Sequence, residues 1–477
     1  MKVLFLLPNY DSHIIHPPLG LGYLASYLIK NKQIVSIFDG TLKNASLDDY
    51  VKVISEFQPD LIGISVLTRG HNLAKEMVRT IKKKFSQIPI VIGGTQLTAA
   101  PKEVMEDIKP DFGIIGEGEE TILELVRVLE KKKKIFTKIN GLTFFSNNRI
   151  IINNLRPLIE NLDSLPFPAW ELMPPKEYRI APILEPAKGF PIAPILTSRG
   201  CPYNCSFCAS NATWRRKLRF RSPENVLEEI KMLKKEYGVE EIHFSDDNFT
   251  MDIERAEKIC DLLIKEKINL PWQCPNGVRI DRLTTSLLKK MKKAGCYSLS
   301  LGIESGNQEM LKNVQKQLDL KIVPGVLKML RNIGIESYGF FILGLPGETK
   351  GSAKETIDFA LNNDFDRVWF NIFTPYPGSS AFADWIGNRH FSDINWNEHD
   401  CSTALVSSKE LSLSQIEKMQ KMALRKFYLR PKNFARVISH IGPKEITSFL
   451  MSRFFKNIFK LTISKKIKNN VWHNRNF

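Results

Sequence analysis

Long hydrophobic runs are missing from this chain. A bilayer-spanning helix needs about 20 consecutive apolar residues, and the 477 residues contain no such stretch. Lys2–Leu7 resembles a secretory h-region, but Pro8, Asn9 and Asp11 cut it short, so it reads as a buried strand. Cysteine is scarce. There are seven, an odd number with no secretory signal, which argues against a disulfide framework and leads us to expect a reducing cytoplasm. No second C-x2-C pair accompanies Cys205 and Cys208, and His243 lies far downstream, so structural zinc lacks its fourth ligand. Cys260, Cys274, Cys296 and Cys401 are scattered and read as buried apolar thiols. Acid is scarce at one end only. Residues 421–477 hold 14 Lys and Arg against one acid, Glu445, and so carry +13 of the formal +17; the other 420 residues carry +4. The basic character belongs to the tail, and we expect no nucleic-acid binding by the body of the protein. With 43% hydrophobic and 25% charged residues, the composition is that of two or three ordinary globular domains.

What is present is alternation. Apolar runs at Val3–Leu7, Ile34–Asp39, Leu61–Val66, Pro89–Gly93 and Phe112–Ile115 are separated by helical stretches such as Leu73–Phe85. They predict a five-stranded, doubly wound, Rossmann-like (flavodoxin-type) domain over residues 1–132. A hairpin (Gly141–Phe145, Asn147-Asn148, Ile150–Ile152) and a Pro-rich linker should fill 133–191. A second βα series follows, with strands at Pro194–Thr197, Ile242–Ser245, Trp272–Cys274, Ser298–Ile303, Tyr338–Leu343 and Val368–Phe373. Six such units predict a partial (β/α)6 TIM-type barrel over 192–400, with its chemistry at the C-terminal strand ends. Residues 401–477 read as a helical, basic C-terminal region, and no internal repeat exists beyond the βα alternation.

Directly after the first barrel strand stands Cys201-Pro-Tyr-Asn-Cys205-Ser-Phe-Cys208. Three thiolates at C-x3-C-x2-C spacing hold three corners of a 4Fe–4S cubane and leave one iron open for chemistry. This segment resembles the signature of the radical S-adenosylmethionine (SAM) enzymes. In that family the open iron binds the amino and carboxylate groups of SAM, and an electron from the cluster yields a 5′-deoxyadenosyl radical. The resemblance covers about residues 190–380. It implies a set of SAM contacts: Asp246 or, preferred, Asp247 for the amino group; Arg279 for the carboxylate, which suits a fork of donors; Glu304 for the ribose; and Gly344, in Gly339-Phe-Phe-Ile-Leu-Gly344-Leu-Pro-Gly347-Glu348, beside adenine. Phe207 holds the family's aromatic position before the third cysteine, and Thr374-Pro-Tyr-Pro-Gly378 should be a tight turn.

Gly20-Leu-Gly22-Tyr-Leu-Ala25 matches a dinucleotide pattern, but a dozen residues separate it from the first strand, so we do not expect a dinucleotide there. Residues 1–130 instead resemble the cobalamin-binding domain found ahead of many radical SAM barrels. The resemblance rests on Pro17-Pro18-Leu-Gly20, Gly63-Ile-Ser65-Val-Leu-Thr68, Gly93-Gly94-Thr95 and Gly116-Glu-Gly118. It implies cobalamin contacts by Ser65, Thr68, Gly93, Gly94, Thr95 and Gly116. One departure matters: Asp39-Gly-Thr41 places Thr41 where related domains carry the cobalt-ligating histidine, and His13, His16 and His71 do not match that position. Cobalamin without a histidine lower ligand is therefore expected.

Together these resemblances imply an oxygen-sensitive, cobalamin-dependent radical SAM methyltransferase of an unactivated carbon or phosphorus. One SAM would methylate the cobalamin and a second would supply the radical. Rivals are an oxidative cyclase with the same cofactors and a non-catalytic cobalamin or cluster sensor. The expected partners are a small-molecule substrate and a low-potential electron donor such as flavodoxin or ferredoxin. In the tail, Ile446, Phe449, Leu450, Phe454, Ile458 and Leu461 share one side and Arg453, Lys456 and Lys460 another. That pattern fits peripheral membrane contact from the cytoplasmic side, with a lipophilic substrate, as well as a helix packed on the barrel.

Overall fold

The computed structural model describes residues 1–10, 15–131, 135–178 and 187–439. His13, Lys132–Lys134, Pro182, Pro186 and the amphipathic stretch 446–463 lie outside them. Five parallel strands open the chain: β1 (Lys2–Leu7), β2 (Ile34–Asp39), β3 (Leu61–Ser65), β4 (Ile90–Gly93) and β5 (Phe112–Ile114), in the order β2-β1-β3-β4-β5. They are apolar throughout because helices cover both faces. Leu21, Leu28, Ile122 and Val126 pack on one side, and Ile54, Met77, Ile81 and Val104 on the other. Local signals set helix ends. Ser46 and Asp49 form a capping box for Leu47–Phe57. Ser222 caps Pro223–Tyr237, which Gly238 closes at φ +62°.

Two expectations about the connecting region are corrected. The hairpin belongs to the first sheet: β6 (Leu142–Ser146) pairs antiparallel with β5, and β7 (Arg149–Ile152) with β6, giving seven strands rather than five. Without it, the three-residue β5 would be an open edge. Asn147 and Asn148, at φ 47° and 61°, make the two-residue turn. The Pro-rich stretch is packed rather than loose. Trp170 and Met173 are each 1% exposed, and Trp170 Nε1 donates to Glu229 Oε1 at 3.1 Å. Proline there breaks regular structure without preventing burial. The Gly20-x-Gly22 pair lies inside the helix Leu19–Lys30, where a Cβ on Gly22 would come 2.0 Å from Met173 Cε. That glycine serves close packing of the helix on Met173.

The second half holds β8 (Ile192–Ile195), β9 (Ser198–Arg199), β10 (Arg219–Phe220), β11 (Glu241–Phe244), β12 (Trp272–Val278), β13 (Cys296–Glu304), β14 (Glu336–Leu343) and β15 (Arg367–Ile372). β9 and β10 form a short antiparallel ribbon; the other six are parallel in the order β15-β14-β13-β12-β11-β8. The barrel is thus partial, as expected. Its outward side chains, such as Phe341, Val368 and Phe370, are buried under helices, while Tyr338, Phe340, Trp369 and Asn371, alternating with them, are half-buried. Helix Leu413–Tyr428 covers the β15 edge: Tyr428 Oη donates to Val368 O (2.6 Å) and accepts from Val368 N–H (3.2 Å), and Gln420 Nε2 donates to Phe370 O (2.7 Å). Residues 401–412 are not helical, contrary to expectation. Asp400 accepts from the N–H groups of Ser402 and Thr403, both at 2.8 Å, and so holds a turn. No helix among the described residues is long and apolar enough to cross a membrane.

Candidate active site

The three cysteines sit on the loop between β9 and the short helix Ser210–Trp214. Gly200 makes the entry at φ +105°, where a Cβ would lie 2.0 Å from Lys217 O, so no side chain fits. The loop is tied down by Cys208 N–H to Cys205 O (3.0 Å), Ser206 N–H to Val314 O (3.0 Å) and Ala381 N–H to Ser206 O (3.1 Å). All three thiols are free and half-buried. Burial pushes each of them up, Cys208 to about 11, so iron binding must release protons. No three His, Cys, Asp or Glu among the described residues converge on a single metal ion. A cubane places each thiolate on a different iron, so it does not require such convergence.

The charged residues around this loop have different fates. Asp247 lines the cleft between the two domains and accepts from Ser210 Oγ at 2.8 Å. Asp246 does not face it. Asp246 is 1% exposed and its carboxylate takes Thr197 N–H (2.9 Å), Thr197 Oγ1 and Ser198 Oγ (2.5 Å). It is a corrected candidate, because its oxygens are consumed in tying β11 to β9. Arg279 holds Asp281 bidentately (2.9 and 3.0 Å) and stacks 3.8 Å over the Tyr203 ring inside the cysteine loop. Glu304 takes φ +67° and accepts from Lys316 Nζ at 2.8 Å. Burial alone would lower Lys316, but the Glu304 carboxylate and the neighbouring Cys205 hold it above its ordinary value. Phe207 packs against the cluster of Ile342, Val314 and Phe373. Gly344 is a second correction. Its N–H donates to Glu348 Oε2 (2.5 Å), and a Cβ there would meet Ile416 at 3.2 Å, so it serves the turn and the C-terminal helix rather than an open cleft. Gly378, at φ +90°, lets the last barrel turn pack on Ala212.

The N-terminal domain brings its own candidates to two spaces. Ser65, Gly93, Gly94 and Gly116 line a cavity of ≈ 320 Å³ at the carboxyl ends of β3, β4 and β5, with Phe5, Leu24 and Ile122 in its wall and Arg199 and Trp214 contributed from the barrel half. Thr68 and Thr95 instead line the interdomain cleft, ≈ 440 Å³, with Tyr10, Arg69, Trp214, Asp247 and Tyr376. Thr68 Oγ1 donates to Gln96 Oε1 (2.8 Å). Thr41, at the histidine position, is buried and donates to Pro8 O (3.1 Å).

A family profile described as "Radical SAM superfamily" matches residues 195–360, and one described as "B12 binding domain" matches residues 11–126. An uncharacterised methyltransferase of Pyrococcus horikoshii is 32% identical, covering 97% of this chain and 98% of its own. This chain belongs to the cobalamin-binding radical SAM family. Other relatives are the cytidylyl-2-hydroxyethylphosphonate methyltransferase of Streptomyces wedmorensis (30% identical, 81% and 82% covered) and the anaerobic magnesium-protoporphyrin IX monomethyl ester cyclase of Rubrivivax gelatinosus (28%, 82% and 70%). A radical SAM methyltransferase from Kitasatospora setae, solved with tryptophan and a SAM analog, shares the fold at TM-score 0.68 and 17% identity, over 93% and 89% of the two chains.

The residues of this radical SAM protein fit its family's groups. Three free thiols without a disulfide supply the donor set of the 4Fe–4S cluster. The first cavity is lined by Gly20, Gly63, Gly93, Gly94, Gly116 and Gly118, so a flat group there would meet backbone rather than side chains. Sequence reasoning did not find Lys316, Ser210, Tyr203 or Trp214. No spacing rule marks them, since each arrives from a loop or short helix placed only by the tertiary fold.

Proposed function

We propose that this chain is a cobalamin-dependent methyltransferase acting on an unactivated carbon, or phosphorus, of a small molecule. The observation that carries this reading is the shared cleft. Thr68 and Thr95 from the cobalamin-binding domain face Ser210 and Asp247 from the barrel across one space beside the cysteine loop. When bound, the cluster, SAM and cobalamin supply radical generation and methyl carriage. The chain holds the cluster with Cys201, Cys205 and Cys208. Asp247 receives the SAM ammonium, and Lys316 and Arg279 place positive charge beside its carboxylate. The second Glu304 oxygen, without a partner among the described residues, accepts from the ribose. Phe207 packs on adenine. Ser65, Gly93, Gly94 and Gly116 line a cavity suited to a flat apolar base such as cobalamin carries, and Thr68 and Thr95 face the corrin. Thr41, at the position where related domains carry the ligating histidine, would offer cobalt no imidazole from there.

Anaerobic incubation of reconstituted protein with cobalamin, SAM and a low-potential reductant tests this. We expect both 5′-deoxyadenosine and S-adenosylhomocysteine, and neither from the Cys201→Ala/Cys205→Ala/Cys208→Ala variant. Deoxyadenosine without S-adenosylhomocysteine would sink methyl transfer and favour a cyclase, a reading the 28% identical cyclase relative supports. No cleavage at all would favour a sensor. In separate samples loaded with cob(II)alamin, nitrogen splitting in the cobalt EPR spectrum that changes when only the protein is 15N-labelled would remove the claim that no histidine is the lower ligand. The reading includes a flavodoxin- or ferredoxin-type donor, the cytoplasm, and peripheral membrane contact by the basic tail. If truncation after Pro443 leaves sedimentation with anionic liposomes unchanged, the membrane part is wrong.

A further inference from the structure

Arg199 belongs to two places at once. Its guanidinium donates to Glu117 Oε1 and to Glu119 Oε1, both at 2.7 Å, and all three residues line the ≈ 320 Å³ cavity. Its backbone ends β9 and runs through Gly200, where an added Cβ would lie 2.0 Å from Lys217 O, straight into Cys201. Across the ribbon, Arg219 Nη1 donates to Glu117 Oε2 at 2.8 Å, and its guanidinium lies 5.7 Å from the Trp214 ring, which lines both the cavity and the interdomain cleft. Arg199, Arg219, Glu117 and Glu119 are at most 7% exposed. Two positive and two negative charges are thus buried across the domain boundary, where separating them would strand charge in a medium of low dielectric. The group is also not saturated: Arg219 Nε and Nη2 are buried with no acceptor among the described residues.

Resting on the reading that cobalamin fills this cavity, we propose that the Arg199–Glu117–Glu119–Arg219 group is a coupling element between the cobalamin cavity and the cysteine loop. Occupying the cavity positions Glu117 and Glu119, these hold Arg199 and the β9–β10 ribbon, and the ribbon sets the backbone from which Cys201 springs. Cobalamin binding and cluster binding therefore favour each other, and by linkage the factor is the same in both directions. Arg199 acts here as a positioning residue.

The test is the cobalamin dissociation constant, read anaerobically by absorbance titration on cluster-loaded protein and on the cluster-free triple cysteine-to-alanine variant. We expect at least about fivefold tighter binding with the cluster, the lower end of ordinary allosteric coupling. In Arg199→Lys, which keeps the charge and loses the fork, and in the milder Glu119→Gln, the ratio should fall to within about twofold of one. A purely structural role would weaken binding with and without the cluster alike and leave the ratio unchanged, which would overturn the proposal. Equal affinities in the unsubstituted protein would also overturn it. If Arg199→Lys does not fold, Glu119→Gln decides. Absence of any cobalamin binding by the cluster-loaded protein would overturn this proposal together with the reading beneath it, whereas binding without coupling would overturn this proposal alone.

Discussion

Asp246 and Asp247 are neighbours with opposite surroundings. One is enclosed by Thr197 and Ser198, the other bonded by Ser210 at the cleft. Substituting each by Asn separates the two roles. Asp247→Asn should weaken SAM binding by about tenfold or more, the worth of a hydrogen bond to a charged group, with the melting temperature unchanged. Asp246→Asn should leave buried Arg255 short of its counter-charge and cost about 3 kcal/mol of stability. Calorimetric SAM titration and thermal melting read the two effects, and a stability loss confined to Asp247→Asn would reverse the assignment. The Asp-Asp-Asn motif was visible in the chain. The family resemblance favoured Asp247, but what takes up Asp246 was not visible, because that depends on Thr197 and Ser198, nearly fifty residues away. The surroundings of Gly344 were not visible for the same reason: its neighbour is Ile416, brought by a helix that no motif connects to β14.

At the scale of elements, the strands were legible because parallel strands covered on both faces must be apolar throughout. The hairpin was legible as a hairpin but set outside the first sheet, since nothing local tells which edge a strand pair will cover. The helix Leu413–Tyr428 protects the open edge of β15 with side-chain hydrogen bonds. Tyr428→Phe should leave Val368 N–H and C=O unpaired and lower barrel stability by about 1–3 kcal/mol. Differential scanning calorimetry checks this. An unaltered melt would mean that another group covers this edge.

At the scale of the whole molecule, two buried groups set opposing pH limits. Glu348, pushed by burial up to about 7 from its ordinary 4.5, binds its proton more tightly in the folded protein, so stability falls as pH rises from 4.5 to about 7. His399, pushed by burial down to about 4 from 6.5, binds its proton less tightly when folded, so stability falls as pH drops from 6.5 to about 4. Glu348→Gln should remove the neutral-side loss, by at most about 3 kcal/mol. Its melting temperature should exceed that of the parent by more at pH 8 than at pH 5. A gap independent of pH would show that Glu348 does not titrate in this range.

What the sequence determined by itself was whatever is local along the chain: the C-x3-C-x2-C spacing, the βα alternation, the glycines that turns demand, and the missing histidine after β2. The βα alternation carries the fold class, and the cysteine spacing carries the resemblance that implies the cluster's chemistry. Only the tertiary structure decided that Lys316 stands beside Glu304, that Asp246 turns away from the cleft, and that Arg199 joins Glu117 and Glu119 across a domain boundary. A buried charge is placed by whatever counter-charge and hydrogen bonds the folded chain brings to it, and those partners lie tens to hundreds of residues apart.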